Sequence, residues 1–327
     1  MRIKPTPSSM LFAVLCVFLT SGELWLREAL AVQNSRIVFT SARDGNLEIY
    51  VMDADGSNQE NLTNNPANDF QPDWSPDGTK IAFVSGRDPG PTQIYVMDAD
   101  GKNPIGLTDG RGGKRDPDWS PDGKKIAFGV DDWEEDYIAV MDADGRNREK
   151  LEDHAWEPSW SPDGREIAFV SQRDGGDEIY VIGVGGQGRK RVTQDLVHKL
   201  SPSFSPDGRR IAYAAVPEHE GYGHIHVVGA DGRNRVQLTH NEEHHWSPAW
   251  SPDGQMIAYY VWDGFSGPGT IHLIASDGRY IRRLSDGRNA RDYQPDISPL
   301  GLAVTPTSNK TTTWGRLKIL TPNPHTK

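Results

Sequence analysis

The chain is poor in cysteine: its 327 residues hold one, Cys16. A single thiol excludes a disulfide framework and a thiolate metal cluster. Membrane-length apolar runs are missing too. The run "MLFAVLCVFL", Met10 to Leu19, is half the length of the roughly 20 residues a spanning helix needs. Preceded by Arg2 and Lys4 and followed by "ALA" at Ala29 to Ala31, it reads as a secretory signal over 1–31. Cys16 lies inside it and lacks the preceding small residue of a lipoprotein signal, so the mature chain is expected to be thiol-free and not inserted in a membrane. Positive charge is scarce as well. Against 46 Asp and Glu stand 35 Lys and Arg, a net −11. Phosphate contacts supply much of a nucleic-acid binder's affinity, so a nucleic-acid partner is not expected. No G-x-S-x-G elbow occurs, and no Ser-His-Asp arrangement follows from spacing.

What is present is repetition. "WSPDGTKIAF" at Trp74 returns at Trp119, Trp160, Phe204 and Trp250 with small changes. Its serines, Ser75, Ser120, Ser161, Ser205 and Ser251, are 45, 41, 44 and 46 residues apart, and a worn copy, "ISPLG", places Ser298 47 residues on. A period of 40–45 residues with several short strands is the mark of a β-propeller. "SPDG" has type I turn chemistry, with Pro presetting φ and Gly closing. "KIAFVS" from Lys80 alternates as a strand, with Ile81 and Phe83 on one side and Ala82 on the other. "QIYVMD" from Gln93 is a third strand, "DADG" at Asp98 a tight hairpin turn, and "IGLT" from Ile105 a short fourth.

The ends predict how the ring closes. Arg36 to Thr63 supplies strands two, three and four without a first, and "QPDIS" from Gln294 is a spare first strand. Joining them makes six four-stranded blades over 35–300, with 301–327 as a tail. A seventh blade would lack its innermost strand. The expected fold is therefore an all-β six-bladed propeller of antiparallel blades, closed by the C-terminal strand and monomeric.

The string "PDWSPDGTKIAFVS…QIYVMDADGKN…LT" resembles the WD-like repeat of TolB-type periplasmic propellers, and also that of tricorn-type and prolyl-oligopeptidase-type peptidase propellers. The resemblance covers about 35–300. It is to the propeller alone: TolB proteins carry an α/β domain ahead of theirs, whereas here Arg36 follows close on the signal. It implies an exported propeller, periplasmic or secreted, used for binding protein or peptide.

Three sets of residues are candidates for chemistry. The acidic turns at Asp53, Asp98 and Asp142 look like fragments of a calcium loop. They lack its distal bidentate Glu and fit hairpins, so no cofactor is expected. Six places before Trp160, Phe204 and Trp250 stand His154, His198 and His244, with His245 beside the last. Equivalent atoms of adjacent blades would stand on the order of 8–10 Å apart, so these histidines hold a metal only if they converge. Two places further on are Phe70, Arg115, Trp156, Leu200, Trp246 and Tyr293. Aromatics beside a funnel mouth grip a peptide or a sugar ring at small entropy cost, or else pack between blades. The repeated tryptophans read as inter-blade core. Two functions are therefore open. One is a non-enzymatic scaffold whose mouth loops bind a protein or peptide through His154, Trp156, His198, His244, His245, Trp246, Arg115, Arg291 and Tyr293. The other is a metal-assisted polysaccharide lyase or hydrolase built on His154, His198 and His244.

Overall fold

A computed structural model describes residues 35–299 apart from 133, 196, 218–220, 263–268, 280 and 287–290. The signal and the tail expected from the sequence lie outside them. Twenty-four strands form six separate four-stranded antiparallel sheets. Blade 1 contains β1 (Arg36–Ser41), β2 (Glu48–Asp53), β3 (Glu60–Asn61) and the last strand, β24 (Asp292–Ile297). Blade 2 is β4 (Asp69–Trp74), β5 (Lys80–Ser85), β6 (Gln93–Asp98) and β7 (Ile105–Gly106). Blade 3 is β8 (Gly113–Trp119), β9 (Lys125–Asp131), β10 (Asp136–Asp142) and β11 (Glu149–Asp153). Blade 4 is β12 (Ala155–Trp160), β13 (Glu166–Ser171), β14 (Glu178–Gly183) and β15 (Lys190–Arg191). Blade 5 is β16 (Val197–Phe204), β17 (Arg210–Pro217), β18 (His224–Gly229) and β19 (Val236–Gln237). Blade 6 is β20 (His244–Trp250), β21 (Met256–Trp262), β22 (Gly269–Ala275) and β23 (Ile281–Arg283). The fourth strands are only two to five residues long, which limits the open edge each blade presents outward.

The expected closure is present. β24 pairs antiparallel with β1, setting Ile37 opposite Ile297 and Ser41 opposite Asp292. The "SPDG" turns form as read: in the first copy Gly78 N–H donates to Ser75 O at 2.7 Å and Ser75 Oγ donates to Asp77 at 2.7 Å. The repeat serine is thus occupied by its own turn. The acidic turns close likewise. Asp98 N–H donates to Lys102 O, Gly101 N–H to Asp98 O, and Asn103 to the Asp98 carboxylate.

Period-2 alternation here separates two interfaces rather than core from solvent, so both faces of each middle strand are buried. Ile81, Phe83 and Met97 pack with Val38, Ile49 and Leu62 of blade 1. Ala82, Val84 and Ile94, on the other face, pack with Trp119, Ile126 and Phe128 of blade 3. Trp74, Trp119, Trp160 and Trp250 are 4–8% exposed and belong to these clusters, as expected. Burying each such side chain contributes about 1.5–3 kcal/mol, and stacking around a ring is the way every blade buries both faces.

Candidate functional site

Each innermost strand contains one bulge. Pairing with the second strand slips between Phe70 and Asp73 in blade 2, and at equivalent places in the other five. The residue before proline takes φ near +50° there: Gln71, Asp116, Glu157, Ser201, Ser247 and Gln294. Left-handed backbone before proline is strained, and a bulge is where a sheet places such a residue. These six, the prolines after them and the next residue of each blade line a cavity of about 150 Å³ on the ring axis.

The axis is asymmetric in charge. In blades 1, 2 and 3 the residue after the proline is Asp296, Asp73 or Asp118, whereas blades 4, 5 and 6 have Ser159, Ser203 and Ala249. Each aspartate reaches sideways to the next blade. Asp296 accepts the Trp74 N–H at 2.8 Å, Asp73 that of Trp119 at 2.8 Å, and Asp118 that of Trp160 at 2.7 Å. Ser159 Oγ takes the same part for Phe204 at 3.3 Å. Burial pushes all three carboxyls up, and at Asp73 the neighbouring Asp296 and Asp118 reinforce it. Asp116 and Glu157 are also raised, by burial first; Arg115 opposes this at both, while Asp116 adds to it at Glu157. The sequence reading missed this layer. Its signal was the aspartate of "PDWS" and "PDIS", present in three copies and absent from the others.

A second structural unit, also missed, marks one face of the ring. In blades 1, 2 and 4 the second strand ends in Ser-x-Arg-Asp: Arg43, Arg87 and Arg173. Their guanidiniums lie 4.4, 4.8 and 5.5 Å from the rings of Tyr50, Tyr95 and Tyr180, whose hydroxyls donate to Asp44, Asp88 and Asp174. Arg43 and Arg87 also hold the fully buried Asp292 and Asp69 at 3.0 and 2.8 Å. Blades 3, 5 and 6 lack the clamp. In blade 5 Tyr213 stacks on His226, and in blade 6 Tyr259 tilts against His272, in place of the Phe–Tyr pairs.

On blades 5 and 6 rings accumulate instead. His244 lies 5.3 Å from Tyr222, 6.0 Å from Trp246 and 5.7 Å from Trp262. Trp246 is paired across strands with Tyr260, which meets Tyr293 edge-on at 5.6 Å, and Arg291 hydrogen-bonds Tyr293. Tyr222 is 40% exposed; His244, Trp246 and Tyr293 are half-buried. His245 is fully buried, its ring 5.5 Å from His224. Burial lowers the pKa of His245, His226 and His272 to about 4 and also depresses His224 and His244.

Of the predicted site residues, the structure therefore joins His244, His245, Trp246, Tyr293 and Arg291 in one patch across blades 6 and 1. The others sit elsewhere with their own partners. Arg115 pairs with Asp136 at 3.0 Å, and His154, 67% exposed, faces Glu135 at 3.4 Å. His198 meets Asp177 at 2.6 Å. Trp156 and Phe70 pack against inter-blade clusters, as does Trp246 on its inner side. His154, His198 and His244 do not converge: among the described residues, no three His, Cys, Asp or Glu side chains come together as a metal site.

The repeat and its geometry have clear relatives. The family model described as the TolB beta propeller domain matches residues 29–155 and 130–321. The chain is 44% identical over 57 residues to the Tol-Pal system protein TolB of Desulfosudis oleivorans, covering 17% of this chain and 13% of that protein. It is 48% identical over 54 residues to the TolB homolog of Chlorobaculum tepidum, 16% of this chain and 12% of that one. These alignments span only about an eighth of the relatives' length. The crystal structure of TolB from Acinetobacter baumannii superposes with a TM-score of 0.72 at 24% identity, over 82% of this chain and 67% of the other. With one family model matched from end to end of the ring, this chain belongs to the TolB β-propeller domain family.

Proposed function

We propose that the chain is an exported TolB-like propeller that binds a protein or peptide segment at the face where the innermost strands begin, and that it does not turn its ligand over. The observation that carries this reading is the continuous patch from Arg291 and Tyr293 through Tyr260, Trp246 and His244 to Tyr222. Half-exposed aromatic rings with an arginine at the edge are the composition of binding hot spots. His244, Trp246 and Tyr293 stand near the starts of innermost strands and Tyr260 within β21, so these side chains have little order left to gain on binding. Export is supported by the apolar run at Met10 to Leu19 and by membership of the TolB family. The lyase reading has less support, since its three histidines each keep a different neighbour.

The test is crosslinking in cells with the tagged mature protein, wild type against Tyr222→Ala plus Trp246→Ala, both in the patch. Wild type is expected to recover one discrete protein that the double variant, still folded by its melting curve, loses. A partner held with unchanged affinity by the folded variant sinks the proposal.

A further inference from the structure

The turns between second and third strands are tied to the next blade by a bond that recurs around the ring. Asp69 N–H donates to Leu47 O at 2.8 Å, Lys114 N–H to Thr92 O at 2.9 Å, Lys199 N–H to Asp177 O at 3.0 Å, and His245 N–H to Gly223 O at 2.9 Å. Between blades 1 and 2 a side chain completes the tie: Leu47 N–H donates to Asn68 Oδ1 at 3.0 Å. Between blades 5 and 6 the same place is taken by histidine, and Gly223 N–H donates to His244 Nδ1 at 3.2 Å. His245 adds a bond, its Nδ1 lying 3.0 Å from Gly223 O. An amide oxygen stays an acceptor at every pH. An imidazole Nδ1 stops being one when it gains a proton.

We propose that blade 5 is latched to blade 6 by a proton-sensitive clip, in which His244 and His245 hold Gly223 near neutral pH and release it on acidification. Protonated His244 presents a donor to the Gly223 donor, and the bond is lost. His245 donates through Nδ1, so the incoming proton must go to Nε2, which is buried with no partner. His224 stacks on His245 with its own Nδ1 buried and unpartnered, so a second proton places like charges on touching rings.

The described groups facing the clip form no ion pair with it. From β18 come His224 and, behind it, His226, whose Nδ1 accepts from Arg235. The segment before β20 brings His240 and Glu243, whose carboxylate accepts from Asn241. β21 brings Tyr259 and Trp262, β22 brings His272 backed by Arg283, and the turn itself brings Tyr222. The ion pairs of histidine among the described residues are His154 with Glu135 and His198 with Asp177, neither of them here. Among the described residues no carboxylate pairs with His224, His244 or His245, so charge on them is relieved by opening to water.

The clip belongs to the free protein and needs no bound partner to work. The test is amide exchange by NMR at pH 7.5 and pH 5, corrected for the intrinsic rate, with Leu47 as internal reference. Protection of the Gly223 amide is expected to fall about tenfold at pH 5, the effect of losing one hydrogen bond, while that of Leu47 is unchanged. In His244→Asn, which copies the Asn68 arrangement, the fall should disappear. Gly223 remaining protected at pH 5, or an equal fall in the folded Asn variant, overturns the proposal. If the variant does not fold, the wild-type comparison of Gly223 with Leu47, read beside the 15N titration of the imidazoles, decides it. Imidazoles that titrate with no loss at Gly223 are the negative result.

Discussion

Asp118 carries out two tasks that pull against each other: it caps the Trp160 N–H of the next blade and sits in a recessed ring with other carboxyls. Burial raises its pKa above the unfolded value near 4. The folded state then binds the proton more tightly, so this group's contribution is complete below pH 4 and is lost as pH rises through the folded value. Asp118→Asn keeps an acceptor for Trp160 and removes the charge. It should raise the melting temperature by about 2–4 °C at pH 8 and by almost nothing at pH 4, read by thermal melts across pH. The buried histidines act in the opposite sense. With pKa depressed to about 4, His226, His245 and His272 contribute stability present above 6.5 and lost as pH falls toward 4. At this scale legibility was uneven. The repeated tryptophans were readable as core because a bulky residue at a fixed place in every blade must fill the same space. Asp73, Asp118 and Asp296 were not, because an aspartate beside a turn motif has the same composition whether it faces water or the axis. Trp156 and Trp246 were readable as aromatic, but their half-burial depends on neighbouring blades.

At the scale of elements, the turns were the most legible parts, since Pro, Asp and Gly act through local φ and local hydrogen bonds. Their tertiary use was hidden. The glycine of "DADG" does more than close a hairpin. Gly101 has φ +82°, and a Cβ there would stand 2.4 Å from Leu62 O of blade 1. Gly56 meets Leu284 O at the same distance, and Gly145 meets Leu107 O at 2.6 Å. The glycine is therefore an inter-blade contact. Gly101→Ala should destabilise by about 2 kcal/mol or more, through left-handed strain plus the clash, and chemical denaturation would show it. The Ser-x-Arg-Asp clamp is likewise written in the sequence three times. Its meaning appears only when the third-strand tyrosine, six or seven residues on from the aspartate, folds back under the arginine. Blades 3, 5 and 6 depart from that pattern, and on blades 5 and 6 the ring cluster occupies the place of the missing clamps.

At the scale of the molecule, fold and closure were legible because repetition fixes both the blade count and the strand left over. Function was not, since a propeller's site lies where its copies differ. Removing residues 292–327 should leave β1 with an unpaired edge and the Trp74 N–H without Asp296, giving a soluble-aggregate peak on size-exclusion chromatography where the full chain elutes as one species. The pairing of Ile37 with Ile297 also bears on how the protein comes into being. It spans nearly the whole described chain, and contacts of such sequence separation form late. Blades 2 to 6 each hold four consecutive strands and can assemble in order as the chain emerges. Blade 1 has to wait, with β1 to β3 held open, until the last strand is delivered, so ring closure is the final folding event and the interval before it is when the chain is most exposed to mispairing.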